Sequence, residues 1–169
     1  DIDGLRAIAV TAVLFYHVGF SGFSGGFVGV DIFFVISGYL ISGILLSYLA
    51  REKFSILRFY ERRIRRIFPA LFVVLAATTI AASLLLPNDL KLFTESAVAA
   101  ATSLSNAFFF HLSGYFDTSS ELKPLLHTWS LAVEEQFYLL WPLLLYVIHR
   151  FLKRRFALWT ISLLLASFA

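Results

Sequence analysis

The stretch Val30-Asp-Ile-Phe-Phe-Val-Ile-Ser-Gly-Tyr-Leu-Ile-Ser-Gly-Ile-Leu-Leu-Ser-Tyr-Leu49 carries one charge, on Asp31. A helix of about 20 apolar residues is the length that the hydrocarbon core of a bilayer requires. The whole chain of 169 residues has the same character, with 59% hydrophobic and 15% charged residues and a mean hydropathy of +0.81. Too few polar side chains remain to cover a soluble globule, and the chain is too apolar for disorder. The sequence therefore predicts an all-α, polytopic transmembrane helical bundle.

Further apolar blocks lie at 5–20, 68–86 and 131–148, and a shorter run at 156–169 would begin a fifth span. Because the chain contains no Met and its last apolar run is too short to span, we expect both ends to be cut and residues 1–169 to be one truncated membrane domain. Four glycines in the segment 21–29 predict a tight turn, so the first two spans form a hairpin.

Basic residues predict the orientation of the spans. Of 14 Lys and Arg residues, seven lie in the loop 51–66 and four in the loop 150–155, so the positive-inside rule makes both loops cytoplasmic. The span at 68–86 then runs outward and the span at 131–148 returns. A single full crossing by the intervening segment 92–110 would break this parity, and its polar residues favour an interfacial or re-entrant helix.

Ionisable residues inside spans are rare and are functional candidates. Arg6 and His17 lie eleven residues apart, which places them on one face of a helix about 16 Å apart in depth. Arg6 at the cytoplasmic end could bind a phosphate or carboxylate, and His17 in the outer part could act as a general base. The alternative is an interfacial Arg anchor and a hydrogen-bonded structural His.

Three carboxylates are the other candidates. Asp31 opens the second span, where its ordinary role would be to cap the start of the helix; in a hairpin it would also reach the depth of His17 and support the imidazole. Glu134 and Glu135 are 100° apart on a helix, so one of them faces a given partner. In the alternative interpretation both glutamates are solvated at the interface.

The loop around Arg62-Arg-Ile-Arg-Arg66 contains only Arg, whose planar fork binds phosphates, although positive-inside bias explains its charge as well. A nucleic-acid site is disfavoured because the run is tied between two spans. No metal site is expected, since the chain has no Cys and no His-Glu-x-x-His motif.

Four segments in order resemble the acyltransferase 3 family of integral membrane acyltransferases, which includes the O-antigen acetyltransferases. They are Asp3-Gly-Leu-Arg6 with His17, Gly25-Gly-Phe-Val-Gly-Val-Asp-Ile-Phe-Phe-Val-Ile-Ser-Gly38, Phe59-Tyr-Glu-Arg-Arg-Ile-Arg-Arg-Ile-Phe-Pro69 and His127-Thr-Trp-Ser-Leu-Ala-Val-Glu-Glu-Gln-Phe-Tyr138. The resemblance implies a multi-pass enzyme of the bacterial inner membrane, of which residues 1–169 would be the amino-terminal part of the membrane acyltransferase domain. It would move an acyl group, usually acetyl, from cytoplasmic acyl-CoA to a hydroxyl of a lipid-linked or surface polysaccharide, such as the O-antigen of lipopolysaccharide.

The resemblance also implies roles for residues. The Arg-x10-His pattern of the family falls on Arg6 and His17, and its Arg-x-x-Arg pattern falls on Arg63 and Arg66. The three arginines would bind the phosphates of acetyl-CoA, which is a substrate, and no permanently bound cofactor is expected. His17 would remove the proton of the acceptor hydroxyl.

Glu134 matches the acid of the family's Trp-Ser-Leu segment, and it or Asp31 would support the imidazolium that forms on His17. The form Leu122-Lys-Pro-Leu-Leu-His127-Thr-Trp is closest to members that continue into a periplasmic SGNH-type domain. The expected partners are therefore acyl-CoA, a glycan acceptor, membrane lipid and such an additional domain.

Other functions fit the composition. A transporter or channel would explain Arg, His and Glu inside spans, and it predicts substrate flux without acyl-CoA turnover. A structural or regulatory subunit predicts tolerance of substitutions at Arg6, His17 and Glu134 together. Among enzymes, transfer from succinyl-CoA is the nearest alternative.

Overall fold

The computed structural model of the chain describes residues 2–51, 55–112, 123–151 and 162. Its described residues form helices and no strand, which confirms the predicted fold class. Short 3-10 turns at Gly26–Val28 and Pro87–Asp89 precede the second and fourth helices. In the described ranges the α-helices are α1 (Ile2–His17), α2 (Gly29–Ala50), α3 (Ile56–Leu85), α4 (Leu90–Ala101), α5 (Ser105–Leu112) and α6 (Thr128–Phe151).

Within the described residues, three helical stretches are long and apolar enough to cross a membrane: Gly26–Ala50, Ile56–Leu85 and Thr128–Phe151. They include almost all of the three longest spans predicted from the sequence. The first predicted span corresponds to the shorter helix α1, and the partial fifth span at 156–169 lies outside the described residues except at position 162.

Helix α3 begins well before its predicted span because the arginine run is itself helical. The Ser55 hydroxyl caps it by accepting a hydrogen bond from the Arg58 N–H at 3.5 Å. The basic segment and the apolar segment are therefore one continuous helix, which fixes the arginines relative to the span.

The helices belong to two units. Unit 1 comprises residues 1–54 and 144–169, and unit 2 comprises residues 55–143. Unit 1 contains α1, α2 and the end of α6, whereas unit 2 contains α3, α4, α5 and the start of α6.

In unit 1, α1 and α2 form the predicted hairpin. Gly19 and Gly22 in the turn have φ of 72° and 97°, a conformation that other residues rarely adopt. After the turn, Gly26 lies against the backbone of Ala12, and Gly29 lies against the backbone of Ala9. A methyl group at either glycine would overlap a carbonyl oxygen of α1, so both glycines allow the two helices to touch.

These contacts define the register of the hairpin. Gly29, the first residue of α2, lies opposite Ala9 and Val13, and Phe33 lies beneath the Arg6 guanidinium at 5.7 Å from its ring centroid. Helix α2 therefore starts beside the middle of α1 and runs back toward the Arg6 end.

In unit 2, α4 packs back along α3. Their shared core comprises residues from α3, α4, α5 and the segment before α6: Leu71, Leu75, Ala82, Phe93, Ala100, Phe109 and Leu125. Helix α4 ends in a turn at 102–104, where Ser103 has a φ of 57°. The chain thus returns from the end of α3 toward its middle and then reverses, so the single helix expected over 92–110 is two helices joined by a polar turn. Its position in the bilayer stays a prediction.

Helix α6 packs against the amino-terminal part of α3. The Tyr60 hydroxyl donates to the Leu139 carbonyl at 2.7 Å, and the Arg63 guanidinium lies over the Tyr138 ring. Further along α3, Leu71 and Val74 line a small cavity together with Thr128 at the start of α6. The two helices are therefore antiparallel, with Tyr138 near Arg63.

The close contacts of Gly26 and Gly29 with α1 predict that alanine is less tolerated at these positions than at Gly43. Gly26→Ala and Gly29→Ala should each lower the free energy of unfolding by about 1–3 kcal/mol, because backbone atoms of α1 cannot move aside. The measurement is thermal unfolding of the full-length protein in detergent.

Gly43→Ala is the matched control because nothing lies within 4 Å of a Cβ placed there. Gly43 is inside α2, so an alanine should be neutral or should stabilise by up to about 1 kcal/mol. Equal effects at all three glycines would contradict the close approach of α1 and α2.

Candidate functional site

His17 is the last residue of α1 and is exposed in unit 1. Its Nδ1 lies 2.8 Å from the Val13 carbonyl oxygen. Because a carbonyl can only accept, Nδ1 carries the proton, and Nε2 of the neutral ring keeps its lone pair. A backbone group thus sets the tautomer that a general base acting through Nε2 requires.

Asp31 is exposed in the first turn of α2 and does not lie at the depth of His17. The hairpin register puts it about level with Ala9, which is about 12 Å along α1 from His17. The structure therefore does not bring these two side chains together. Equal depth would require α2 to begin at the level where α1 ends. Instead, the 3-10 turn at Gly26–Val28 already runs back along α1 before α2 begins.

Arg6 is half-buried near the start of α1. Its guanidinium lies over the Phe33 ring, and its Nη1 is 3.9 Å from the exposed carboxylate of Asp3. The Arg6 Nε is buried and has no hydrogen-bond partner among the residues that the structure describes. Its charge is thus held by an aromatic ring and a loose ion pair, and its buried Nε has no acceptor among the described residues.

Arg63 is the half-buried arginine of the basic run in unit 2. Its guanidinium carbon lies 4.6 Å from the ring centroid of Tyr138 and 5.6 Å from that of Phe59. Contact with two aromatic rings orients the planar cation and favours its charge. Arg63 is therefore a positioned cation, unlike an arginine that merely faces water.

The two glutamates of α6 have different surroundings. Glu134 accepts a hydrogen bond from the hydroxyl of Tyr138, one turn along the same helix. Glu135 accepts one from Ser103 through Oε2, while its Oε1 is buried and has no hydrogen-bond partner within the described part of the chain. The catalytic role given to Glu134 stays a prediction, but Glu135 is the carboxylate with an unused oxygen.

The turn at 102–104 is bonded to α6 through a third polar side chain. Gln136 donates to the Ser103 carbonyl at 2.8 Å and pairs with the Asn106 amide through two hydrogen bonds of 3.0 and 3.1 Å. The Ser103 carbonyl thus accepts a hydrogen bond from Gln136, and the Ser103 hydroxyl donates one to Glu135. This network fixes the turn against α6.

A cavity of about 470 Å³ opens beside the network in unit 2. Its polar lining includes Arg63, Ser103, Glu135 and Gln136, and its apolar lining includes side chains of α3, α6 and the turn: Ile64, Ile67, Phe68, Leu104 and Leu139. A mainly apolar cavity with a few oriented polar groups is typical of small-molecule sites.

Arg66 lies one turn beyond Arg63 but lines a different cavity of unit 2, of about 320 Å³, which His127 also lines. Ile67 lies on the lining of both cavities. The two arginines predicted to bind the donor are therefore adjacent on α3 and border neighbouring spaces.

The α3–α6 register also affects Glu134. In unit 2, Glu134 neighbours Tyr138, whose ring lies beneath Arg63 of the basic segment. Arg63, Arg66 and Glu134 thus belong to one unit, and Arg6, His17 and Asp31 belong to the other.

Sequence reasoning did not identify Ser103, Asn106, Glu135 and Gln136 as one network. The signal was present as an excess of polar residues in two otherwise apolar segments, 92–110 and 131–148. What was missing is the turn that brings one set against the other.

Comparison with known proteins agrees with the resemblance found in the sequence. The family described as an acyltransferase domain matches residues 1–169. Over 155 residues, or 90% of this chain, it is 46% identical to peptidoglycan O-acetyltransferase OatA of Listeria monocytogenes and 40% identical to O-acetyltransferase OatA of Staphylococcus aureus. Over 91% of the chain it is 42% identical to the putative peptidoglycan O-acetyltransferase YrhL of Bacillus subtilis. The chain spans about a quarter of the length of these relatives, and no solved structure matches it.

The amide pair predicts coupled stability effects. Gln136→Leu should cost about 1–3 kcal/mol in the free energy of unfolding because it leaves the Asn106 amide and the Ser103 carbonyl without a partner. The double variant with Asn106→Leu should cost less than the sum of the single variants, and thermal unfolding of the full-length protein measures each value.

Asn88→Leu is the control, because Asn88 is exposed in the turn before α4 and should change stability by less than about 0.5 kcal/mol. Additive effects of the two network variants would show that Asn106 and Gln136 do not interact.

Proposed function

The chain belongs to the acyltransferase domain family, and on that premise we propose that it supplies the donor-binding and proton-accepting residues of a membrane O-acetyltransferase. The proposed reaction transfers acetyl from cytoplasmic acetyl-CoA to a hydroxyl of a cell-surface glycan. The observation that carries the proposal is the state of His17, whose Nδ1 proton is held by the Val13 carbonyl so that Nε2 is free to accept a proton.

Donor binding is proposed for the arginines. Arg63 is oriented by two aromatic rings, and Arg66 lies one turn further along α3. Guanidinium groups bind phosphate oxygens through two parallel hydrogen bonds, and acetyl-CoA carries both a diphosphate and a sugar phosphate. In unit 1, Arg6 is the third arginine that we propose for the donor phosphates, and its Nε has no partner among the described residues.

The proposed chemical step is attack of the acceptor hydroxyl on the thioester carbonyl. His17 Nε2 takes the hydroxyl proton as the new C–O bond forms. The C–S bond then breaks, and the thiolate of coenzyme A leaves and takes the proton from the imidazolium. Atoms and charges balance without a further reactant, and the Val13 carbonyl keeps Nδ1 protonated throughout.

Peptidoglycan is the acceptor that we propose. Two of the similar proteins bear that substrate in their names, and none of the three names the O-antigen of lipopolysaccharide. Because the relatives are about four times as long as this chain, a further domain such as the SGNH type would complete the enzyme.

The cytoplasmic membrane is the proposed location. The positive-inside rule puts the basic loops 51–66 and 150–155 on the cytoplasmic side, where acyl-CoA is made. Helix α1 then presents His17 toward the outer side, where the glycan acceptor lies.

The proton-acceptor role predicts a loss of activity at His17. His17→Asn keeps an N–H group near the Val13 carbonyl but has no basic nitrogen, so acetylation of peptidoglycan by the full-length protein should fall by about 10²- to 10⁴-fold. The measurement is release of acetate from purified cell wall after mild base treatment.

His111→Asn is the matched control, because His111 is exposed on α5 and has no part in the proposed reaction. It should retain wild-type activity. Retention of activity by His17→Asn would overturn the role of His17 as the base.

The planar fork of arginine predicts that lysine cannot replace Arg63 or Arg66 without a higher KM for acetyl-CoA. Arg63→Lys and Arg66→Lys keep the charge but lose the planar fork, so each should raise KM for acetyl-CoA by about 10-fold. Arg65→Lys is the control, since Arg65 is exposed and pairs with Glu61 on the same helix at 2.8 Å. If the control raises KM as much as the other two variants do, the positive charge of the segment alone binds the donor.

A further inference from the structure

Glu135 has one oxygen in use and one that is not. Ser103 donates to Oε2, and Oε1 is buried without a hydrogen-bond donor among the residues that the structure describes. A buried carboxylate oxygen that lacks a donor is costly, so we expect a group beyond the described residues to bond to Oε1. A ligand that brings an N–H or O–H group to Oε1 would remove that cost, so this atom favours a bound ligand.

The surroundings of Oε1 restrict the ligand. Glu135 lines the cavity of about 470 Å³ with Arg63, and most of the other walls are apolar. A ligand that fits has an anionic group for Arg63 and a long, uncharged, partly apolar arm with hydrogen-bond donors. A free sugar does not match these walls, because its many hydroxyl groups would lack partners beside Ile64, Ile67 and Phe68.

We propose that Oε1 of Glu135 accepts a hydrogen bond from an amide N–H of the pantetheine arm of the acyl donor in the cavity beside Arg63. This inference rests on the proposed function and adds a residue that recognises the arm separately from the phosphates. Pantetheine has two secondary amides along a short aliphatic chain. It therefore combines the donors that Oε1 lacks with the apolar surface that the cavity provides.

Glu135 and its neighbour Glu134 are not equivalent in this role. Glu134 accepts the Tyr138 hydroxyl and is absent from the lining of the cavity, whereas Glu135 lines it. Ser103 is a positioning residue, because its hydroxyl holds Oε2 and leaves Oε1 as the oxygen without a donor among the described residues. Its carbonyl is held in turn by Gln136, so the turn cannot rotate away without breaking two bonds.

The test compares three probes by competition with labelled acetyl-CoA on the full-length protein in detergent. Acetyl-CoA has phosphates and arm, acetyl-pantetheine has the arm alone, and adenosine 3'-phosphate 5'-diphosphate has the phosphates alone. Glu135→Ala should weaken binding of the first two by about 10-fold or more, as expected for a hydrogen bond to a charged group, and leave the third unchanged.

Conservative variants separate recognition from folding. Glu135→Gln keeps an oxygen acceptor and should recover part of the binding of acetyl-pantetheine. Ser103→Gly suits the positive φ but lacks the hydroxyl, so it should weaken binding of the arm less than Glu135→Ala does. In turnover, Glu135→Ala should raise KM for acetyl-CoA more than it lowers kcat.

Two results would overturn the inference. Glu135→Ala could leave acetyl-pantetheine binding unchanged, or it could weaken all three probes equally while lowering the melting temperature, which would indicate a structural role. If the wild-type protein bound neither acetyl-CoA nor acetyl-pantetheine, the proposed function itself would fail. Normal binding by the wild type together with an unaffected Glu135→Ala variant would reject the role of Glu135 alone.

Discussion

Polar side chains in an apolar helix need partners, because neither lipid nor a hydrocarbon core can satisfy them. Helix α6 carries Glu134, Glu135 and Gln136 in succession, and each finds its partner inside unit 2. The turn after α4 meets this requirement, because it brings the hydroxyl and the carbonyl of Ser103 against Glu135 and Gln136 of α6. The same packing holds α6 against α3 and thus places the cavity beside Arg63.

The helices could be predicted from the sequence because their information is local. Apolar runs such as 30–49 have the length of a span, and the glycines of 21–29 allow a tight turn. The register between helices is not local. Asp31 was expected at the depth of His17, but Gly29 packs against the backbone of α1 and moves Asp31 about two turns away.

The different surroundings of Glu134 and Glu135 also depend on contacts between helices, which the local sequence does not show. Their 100° spacing indicated that one would face a site, and the resemblance favoured Glu134. Deciding between them requires knowing that Ser103 lies against Glu135, which depends on the left-handed turn at 102–104. A serine at positive φ gives no sequence signal comparable to that of a glycine. The sequence therefore shows that polar residues are concentrated in these segments, but it does not show which of them contact each other.

The proposed donor-binding and base functions fall mainly in different units, although Arg6, which is also proposed to bind the donor, lies in unit 1 with His17. Unit 2 contains Arg63, Arg66 and Glu135 around its cavities, and unit 1 contains His17 with its tautomer set by Val13. In the proposed reaction the first group binds the cytoplasmic thioester and the second accepts a proton from the outer glycan.

The most direct test uses the full-length protein in vesicles of known orientation, with peptidoglycan fragments on one side and labelled acetyl-CoA on either side. The account predicts labelled ester on the glycan only when acetyl-CoA is on the side of the basic loop 51–66 and the glycan is on the opposite side. Acetylation with acetyl-CoA and glycan both on the side opposite that loop, or no transfer from acetyl-CoA in any arrangement, would contradict it.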